Sequence, residues 1–183
     1  SIAREMIEKH GYTHQEIEFT FESSNPDSLY ILQTRNQNLK KPKVQSRFVT
    51  PPDQMKLIGS GLGISGGALS GALAFDMDDI ERIKKKDPRE KIILARPDTV
   101  PDDIPLIFSC DGLITAKGGA TSHAAVTAAG LGKVCIVSCK SLAVDDVGKR
   151  CSVNGGNYVP GDKLSIDGNS GFIYEGAYDI RTD

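Results

Sequence analysis

Polar and apolar residues alternate through residues 15–22 (QEIEFTFE), the two-residue period of a strand with one buried face. Residues 29–34 (LYILQT) make a second strand-forming run, and the string SSNPD at 23–27 has turn chemistry. The two runs are predicted to pair as a hairpin. Ahead of them, residues 1–10 read as the end of a helix stopped by Gly11, with Lys9 and His10 in its last turn. A segment of about forty residues cannot bury a core of its own, so the hairpin is expected to close a domain that starts upstream.

Residues 38–52 lose both periodicities. They are polar and basic and carry Pro42, Pro51 and Pro52, which favour an extended chain. This is the expected interdomain linker, dividing the chain into 1–37, a linker at 38–55, and a second domain at 56–183. That domain opens on a glycine- and serine-rich loop containing Gly61, Gly63, Gly66, Gly67 and Gly71, which leads into a strand at 68–75. A charged helix is predicted at 78–86 and a buried strand at 91–95 (KIILA). Another buried strand, 112–116 (GLITA), runs into a helix of small residues at 121–130. Short strands follow at 134–138, 151–153, 163–167 and 171–175, the last two joined by a turn of Gly168, Asn169, Ser170 and Gly171. The pattern is that of an α/β domain with a β-rich C-terminal part.

Composition adds mainly exclusions. The 183 residues include 22 Lys and Arg against 24 Asp and Glu, a formal net charge of -2. There is no basic excess of the kind that neutralises nucleic-acid phosphates. No apolar run approaches the roughly 18–20 residues of a bilayer span, and no signal peptide opens the chain. Nucleic acid and membrane are therefore not expected partners, and the cytoplasm is the expected compartment. Cys110, Cys135, Cys139 and Cys151 lack zinc-knuckle spacing and sit among apolar or small residues, so reduced, buried thiols are expected. Lys84, Lys85 and Lys86 read as the polar end of a surface helix. The chain begins at Ser1 in mid-helix pattern, which implies origin in a longer polypeptide.

The segment with chemistry in it is Ala116-Lys117-Gly118-Gly119-Ala120-Thr121-Ser122-His123-Ala124-Ala125-Val126. A buried strand reaches two glycines, then hydroxyl residues, then a histidine that opens an alanine-rich helix. The glycines allow positive φ or close backbone approach to a ligand. Thr121 or Ser122 can cap the first turn. Free N–H groups and the positive end of the helix dipole favour an anion there. A histidine at that point suits a nucleophile that becomes phosphorylated, because the dipole favours both the neutral ring and the anionic product. His10 and His14 lack such surroundings and read as structural.

The string GGATSHAAV resembles the phosphohistidine signature of the phosphoenolpyruvate-utilising enzymes. These comprise the pyruvate, phosphate dikinases, the pyruvate, water dikinases and the first enzyme of the sugar phosphotransferase system. Residues 13–37 resemble the final hairpin of an ATP-grasp nucleotide-binding domain, which the dikinases carry and the sugar-transport enzyme lacks. On their own, those residues favour an ordinary amphipathic hairpin; a hairpin followed by a GGxTSH domain, the dikinase order, reverses that. The strings LQTRNQ, GLGISGGALSGALAF, ILARPDTVPDD, LGKVCIVSC and GDKLSIDGNSG resemble the phosphate-dependent dikinases. The water dikinases, which more often show G-x-P-A-V after the histidine helix, are the alternative.

The resemblance implies a swivelling β/β/α phosphohistidine domain preceded by the terminal β-hairpin of an ATP-grasp domain, with residues 38–52 as its hinge. It implies His123 as the catalytic phosphoryl carrier, with Gly118, Gly119, Thr121 and Ser122 supporting the phosphate. It also implies Glu18 and Gln33 as ligands of Mg²⁺ and nucleotide, with Arg35 close to the nucleotide phosphates. ATP, phosphate and pyruvate would become AMP, pyrophosphate and phosphoenolpyruvate in the whole enzyme. The implied partners are the ATP-grasp domain and a pyruvate-binding barrel of the same polypeptide, with a homodimer formed through that barrel. The chain by itself is not expected to run the full reaction. Thr121 matches a threonine that plant enzymes phosphorylate in regulation. Two positions depart from the family: Ala129 stands where an Arg usually follows A-V-x-A, and Thr127 replaces an aliphatic residue. Lys117 and Lys133 are candidates for the missing positive charge. A divergent, non-catalytic binding or regulatory module is thus the second reading.

Overall fold

The first alternating stretch forms the expected hairpin: β1 (Gln15–Phe21) pairs antiparallel with β2 (Leu29–Asn36) in a computed structural model. The structure describes residues 15–23, 25, 28–36 and 46–182. Glu18 stands opposite Gln33 and Phe19 opposite Ile31, so Leu32 is the extra residue of a β-bulge. The hairpin belongs to one compact unit, Ser1–Lys43, and the remainder to another, Val44–Asp183. The helix expected at 1–10, together with His10 and His14, lies outside the described residues, as do residues 37–45 of the expected linker. Within the rest of that stretch the chain is paired: β3 (Ser46–Phe48) runs antiparallel to β15 (Ile180–Thr182), and a short 3-10 turn follows at Pro52–Gln54.

The second unit is built on an eight-stranded sheet. Its strands are β4 (Leu57–Ser60), β5 (Leu62–Ser65), β6 (Ala68–Ala74), β7 (Ile92–Arg96), β8 (Gly112–Thr115), β9 (Val134–Val137), β13 (Lys163–Asp167) and β14 (Phe172–Glu175). They lie in the order β4-β14-β13-β6-β7-β8-β9-β5. Strands β6 to β9 are parallel and the flanking pairs antiparallel. Helices α1 (Met77–Lys86), α2 (Ile104–Ser109) and α3 (His123–Gly130) form the crossovers, as parallel neighbours require. A three-stranded sheet of β10 (Leu142–Asp145), β11 (Arg150–Val153) and β12 (Gly156–Tyr158) completes the unit.

Strand alternation sends side chains to two cores. From β7, Ile93 and Ala95 join a cluster that includes Cys151, Val153 and Tyr158 of the small sheet. Ile92 and Leu94 point the other way, onto Ile80, Ile107, Ala125 and Ala128 of the three helices. The layers are therefore sheet, sheet and helices, the expected β/β/α arrangement. Both faces of the parallel strands are covered, which explains why KIILA and GLITA read as mostly apolar runs without polar alternation.

The large sheet curls. Its two edge strands, β4 and β5, are joined by Gly61 alone. A Cβ on Gly61 would lie 2.5 Å from Cys139 Sγ and 2.6 Å from the Val137 carbonyl, and one on Gly63 would lie 2.5 Å from the Gly168 carbonyl. The glycine-rich stretch expected as a loop is thus two strands, and glycine is required where the edges close on each other. The turn foreseen between β13 and β14 forms, with the Gly171 N–H donating to the Asp167 carbonyl at 2.8 Å and Gly171 at φ +77°. No helix among the described residues is long and apolar enough to cross a membrane.

Candidate active site

The carboxyl ends of β6, β7, β8 and β9 lie along one edge of the sheet, and α1, α2 and α3 all start there. Open parallel sheets place their ligands outside this edge. The β8-to-α3 turn carries the histidine. His123 is the first residue of α3 and is exposed. Ser122 is the N-cap, in extended conformation (φ -63°, ψ 151°), and its hydroxyl accepts from the Ala125 N–H at 3.3 Å. Of the two hydroxyl residues expected to cap, Ser122 does so; Thr121 is exposed. Ala125 and Ala128 are fully buried against the sheet, so the small residues let the helix approach closely.

The turn is held by several bonds. Gly118 has φ +97°, a conformation that residues with a side chain rarely adopt. Its carbonyl accepts the hydroxyl of Ser138, itself at φ +55°. The Ser122 N–H donates to the Gly119 carbonyl at 2.9 Å. The Thr115 hydroxyl donates to the Lys117 carbonyl at 2.5 Å. A Cβ on Gly119 would meet nothing within 4 Å, so packing does not demand glycine there, whereas a closely bound ligand would. The Asp98 carboxylate lies beside Gly118, its Oδ1 3.7 Å from the point a Cβ would occupy.

The structure therefore brings Gly118, Gly119, Thr121, Ser122 and His123 into one exposed turn. Glu18, Gln33 and Arg35 belong to the other unit: Glu18 faces Gln33 across the hairpin beside the bulge, and Arg35 faces Glu16. Of the candidate lysines, Lys133 is committed elsewhere, its Nζ donating to the carbonyls of Phe108 (at 2.9 Å) and Cys110 at the end of α2. Lys117 is exposed next to Gly118. Ala129 lies six residues beyond His123 in the last turn of α3, about 9 Å along the axis. Sequence reasoning missed Ser138 and Arg96, whose backbone and side chain brace this edge. Their only signal was position, just past or at the end of a strand neighbouring β8.

The four cysteines are free and buried. Burial pushes Cys110 up to about 11, and Cys135, Cys139 and Cys151 up to about 12, so none is a ready nucleophile. Among the described residues, no group of three or more His, Cys, Asp or Glu side chains is placed to hold a metal ion.

Residues 88–171 match the family described as PEP-utilising enzyme, mobile domain. The chain is 33% identical to a pyruvate, phosphate dikinase of Clostridium symbiosum over 96% of its own length and 23% of that protein. It is 34% identical to one of Entamoeba histolytica, over 91% of the chain and 22% of the relative. With pyruvate, phosphate dikinase 2 of Zea mays it shares 30% identity over 93% of the chain and 22% of the relative. The chain thus spans less than a quarter of the length of these relatives.

Proposed function

Because this chain belongs to the phosphoenolpyruvate-utilising enzymes, we propose that His123 carries a phosphoryl group between an ATP site and pyruvate in an enzyme of the pyruvate, phosphate dikinase type. The observation that carries the reading is the exposed imidazole at the first position of α3, on a turn whose glycines leave the backbone open. The neutral ring attacks the phosphorus of phosphoenolpyruvate. An N–P bond forms, the P–O bond to the enol breaks, and the enolate takes a proton to become pyruvate. In the synthetic direction the same N–P bond breaks toward the enolate. The α3 N-terminus, with its free N–H groups and positive dipole end, stabilises the dianionic phosphoryl group on His123. Gly118 and Gly119 give that group room, and Ser122 fixes the helix start that aims the ring.

In this reading the hairpin is the end of an ATP-grasp domain. Glu18 and Gln33, opposed in register, offer a carboxylate and an amide oxygen, the hard donors Mg²⁺ takes, and Arg35 offers a guanidinium for phosphate. Mg²⁺, when bound, would neutralise phosphate charge. ATP, phosphate and pyruvate are the substrates of the whole enzyme, and its ATP-grasp and pyruvate-binding domains are the partners His123 visits in turn.

The test is transfer of label from phosphoenolpyruvate, with Mg²⁺ and a relative's pyruvate-binding barrel. An acid-labile, base-stable phosphate is expected on the wild type and none on His123→Ala. No label on the wild type, where the matching piece of a relative is labelled, would sink the proposal. Ala129 favours one competing reading, a non-catalytic module, and that result would establish it.

A further inference from the structure

Arg96 closes β7 at the same sheet edge as His123, and its side chain is only 16% exposed. Nη2 lies 3.1 Å from Asp103 Oδ1, and Nη1 lies 3.4 Å from Asp146 Oδ2. Nη1 also donates to the Phe75 carbonyl at 3.4 Å. Three connections meet on this one side chain: the β6–α1 turn, the lead into α2, and the β10–β11 turn. The backbone beside it binds the histidine turn directly. The Arg96 carbonyl accepts from the Ala116 N–H at 3.2 Å, and the Pro97 carbonyl from the Lys117 N–H at 3.0 Å.

Stability explains this arrangement poorly. A largely buried ion pair yields little net stabilisation after desolvation. Arg96 Nε, moreover, is buried without a hydrogen-bond partner among the described residues, which costs stability. What the contacts do is fix geometry. We propose that Arg96 is a positioning residue for phosphoryl transfer: it locks three connections and the strap on residues 116–117 into one rigid ledge that presents His123. The inference rests on the reading of His123 as the phosphoryl carrier, and it accounts for a cation acting at this edge without touching the phosphate.

The experiment follows labelling of the full chain from phosphoenolpyruvate, with Mg²⁺ and a relative's barrel domain, alongside thermal unfolding. Arg96→Met removes every arm of the clamp, Arg96→Lys keeps the charge without the fork, and Asp146→Asn frees one arm at a 38%-exposed carboxylate. Labelling at saturating barrel domain, per folded molecule, is expected to fall on the order of 10- to 100-fold in Arg96→Met. Arg96→Lys should not restore it, Asp146→Asn should lower it less, and Asp146→Glu should recover it. The half-saturating concentration of barrel domain should stay near wild type. A lowered melting temperature with wild-type labelling per folded molecule would overturn the proposal, leaving Arg96 a stabilising residue only. Should Arg96→Met not fold, Arg96→Lys and Asp146→Asn decide by the same comparison. No label on the wild type, where a relative's domain is labelled, removes the carrier reading and this inference with it.

Discussion

A single hydroxyl sets where α3 begins. Ser122 accepts from Ala125 N, and that bond defines His123 as the first helical residue. Ser122→Ala is expected to lower stability by about 1 kcal/mol, measured by denaturant unfolding, with Ser122→Asp nearly neutral. At this scale the sequence was legible where chemistry is local: two glycines, a cap and a histidine within six residues declare a strand-to-helix turn. Ser138 and Arg96 could not be read this way. They reach the turn through neighbouring strands, and contacts between distant positions leave no periodic mark on either segment. The choice of Ser122 over Thr121 was open for a related reason, since either hydroxyl meets the local requirement and only the backbone path selects one.

Among the elements, hydrophobic pattern marked the strands buried on both faces and the amphipathic hairpin, whose ends shifted by a residue or two. It missed β4 and β5 because glycine and serine dominate them, and these residues disfavour strands except where a close approach demands them. It also missed α2, whose six residues are too few to display a helical period. Asp111 shows how the parallel strands are held in line at their amino ends. Its carboxylate accepts from Lys91 Nζ at 2.9 Å and from the Ile92 N–H at 3.0 Å, while its own N–H donates to the Ile92 carbonyl at 2.9 Å. Partial burial pushes this carboxyl up, but the bonds to Lys91 and Ile92 and the charge of Lys84 outweigh it and leave it below the usual range. A carboxyl lowered by folding stabilises above its unfolded pKa of about 3.9, and that contribution is lost as pH falls through the folded value. Asp111→Asn is therefore expected to be about 1 kcal/mol less stable than wild type near pH 7. The gap should close in acid below about pH 4, and urea titrations across that range measure it. A gap independent of pH would show that charge is not what Asp111 contributes.

For the whole second unit, closure of the curled sheet at Gly61 is the arrangement on which both cores depend. Gly61→Ala drives a methyl group into Val137 O and Cys139 Sγ, which have no room to retreat. Overpacking of this kind costs about 1–3 kcal/mol, so the melting transition should fall by about 4–12 °C for a unit of this size, at about 4 °C per kcal/mol. A wild-type melting curve would mean that the two sheet edges do not meet as described. The pairing of β3 with β15 has a mechanical consequence. Ser46 lies opposite Thr182, so the backbone enters and leaves the unit at neighbouring points on an antiparallel ribbon. Tension applied to those two points peels the ribbon apart one hydrogen bond at a time, instead of shearing all of them together. While it holds, the ribbon therefore carries that tension across its own hydrogen bonds and shields the sheet; it yields at low force, and only after it has peeled does load reach the β/β/α body that holds His123.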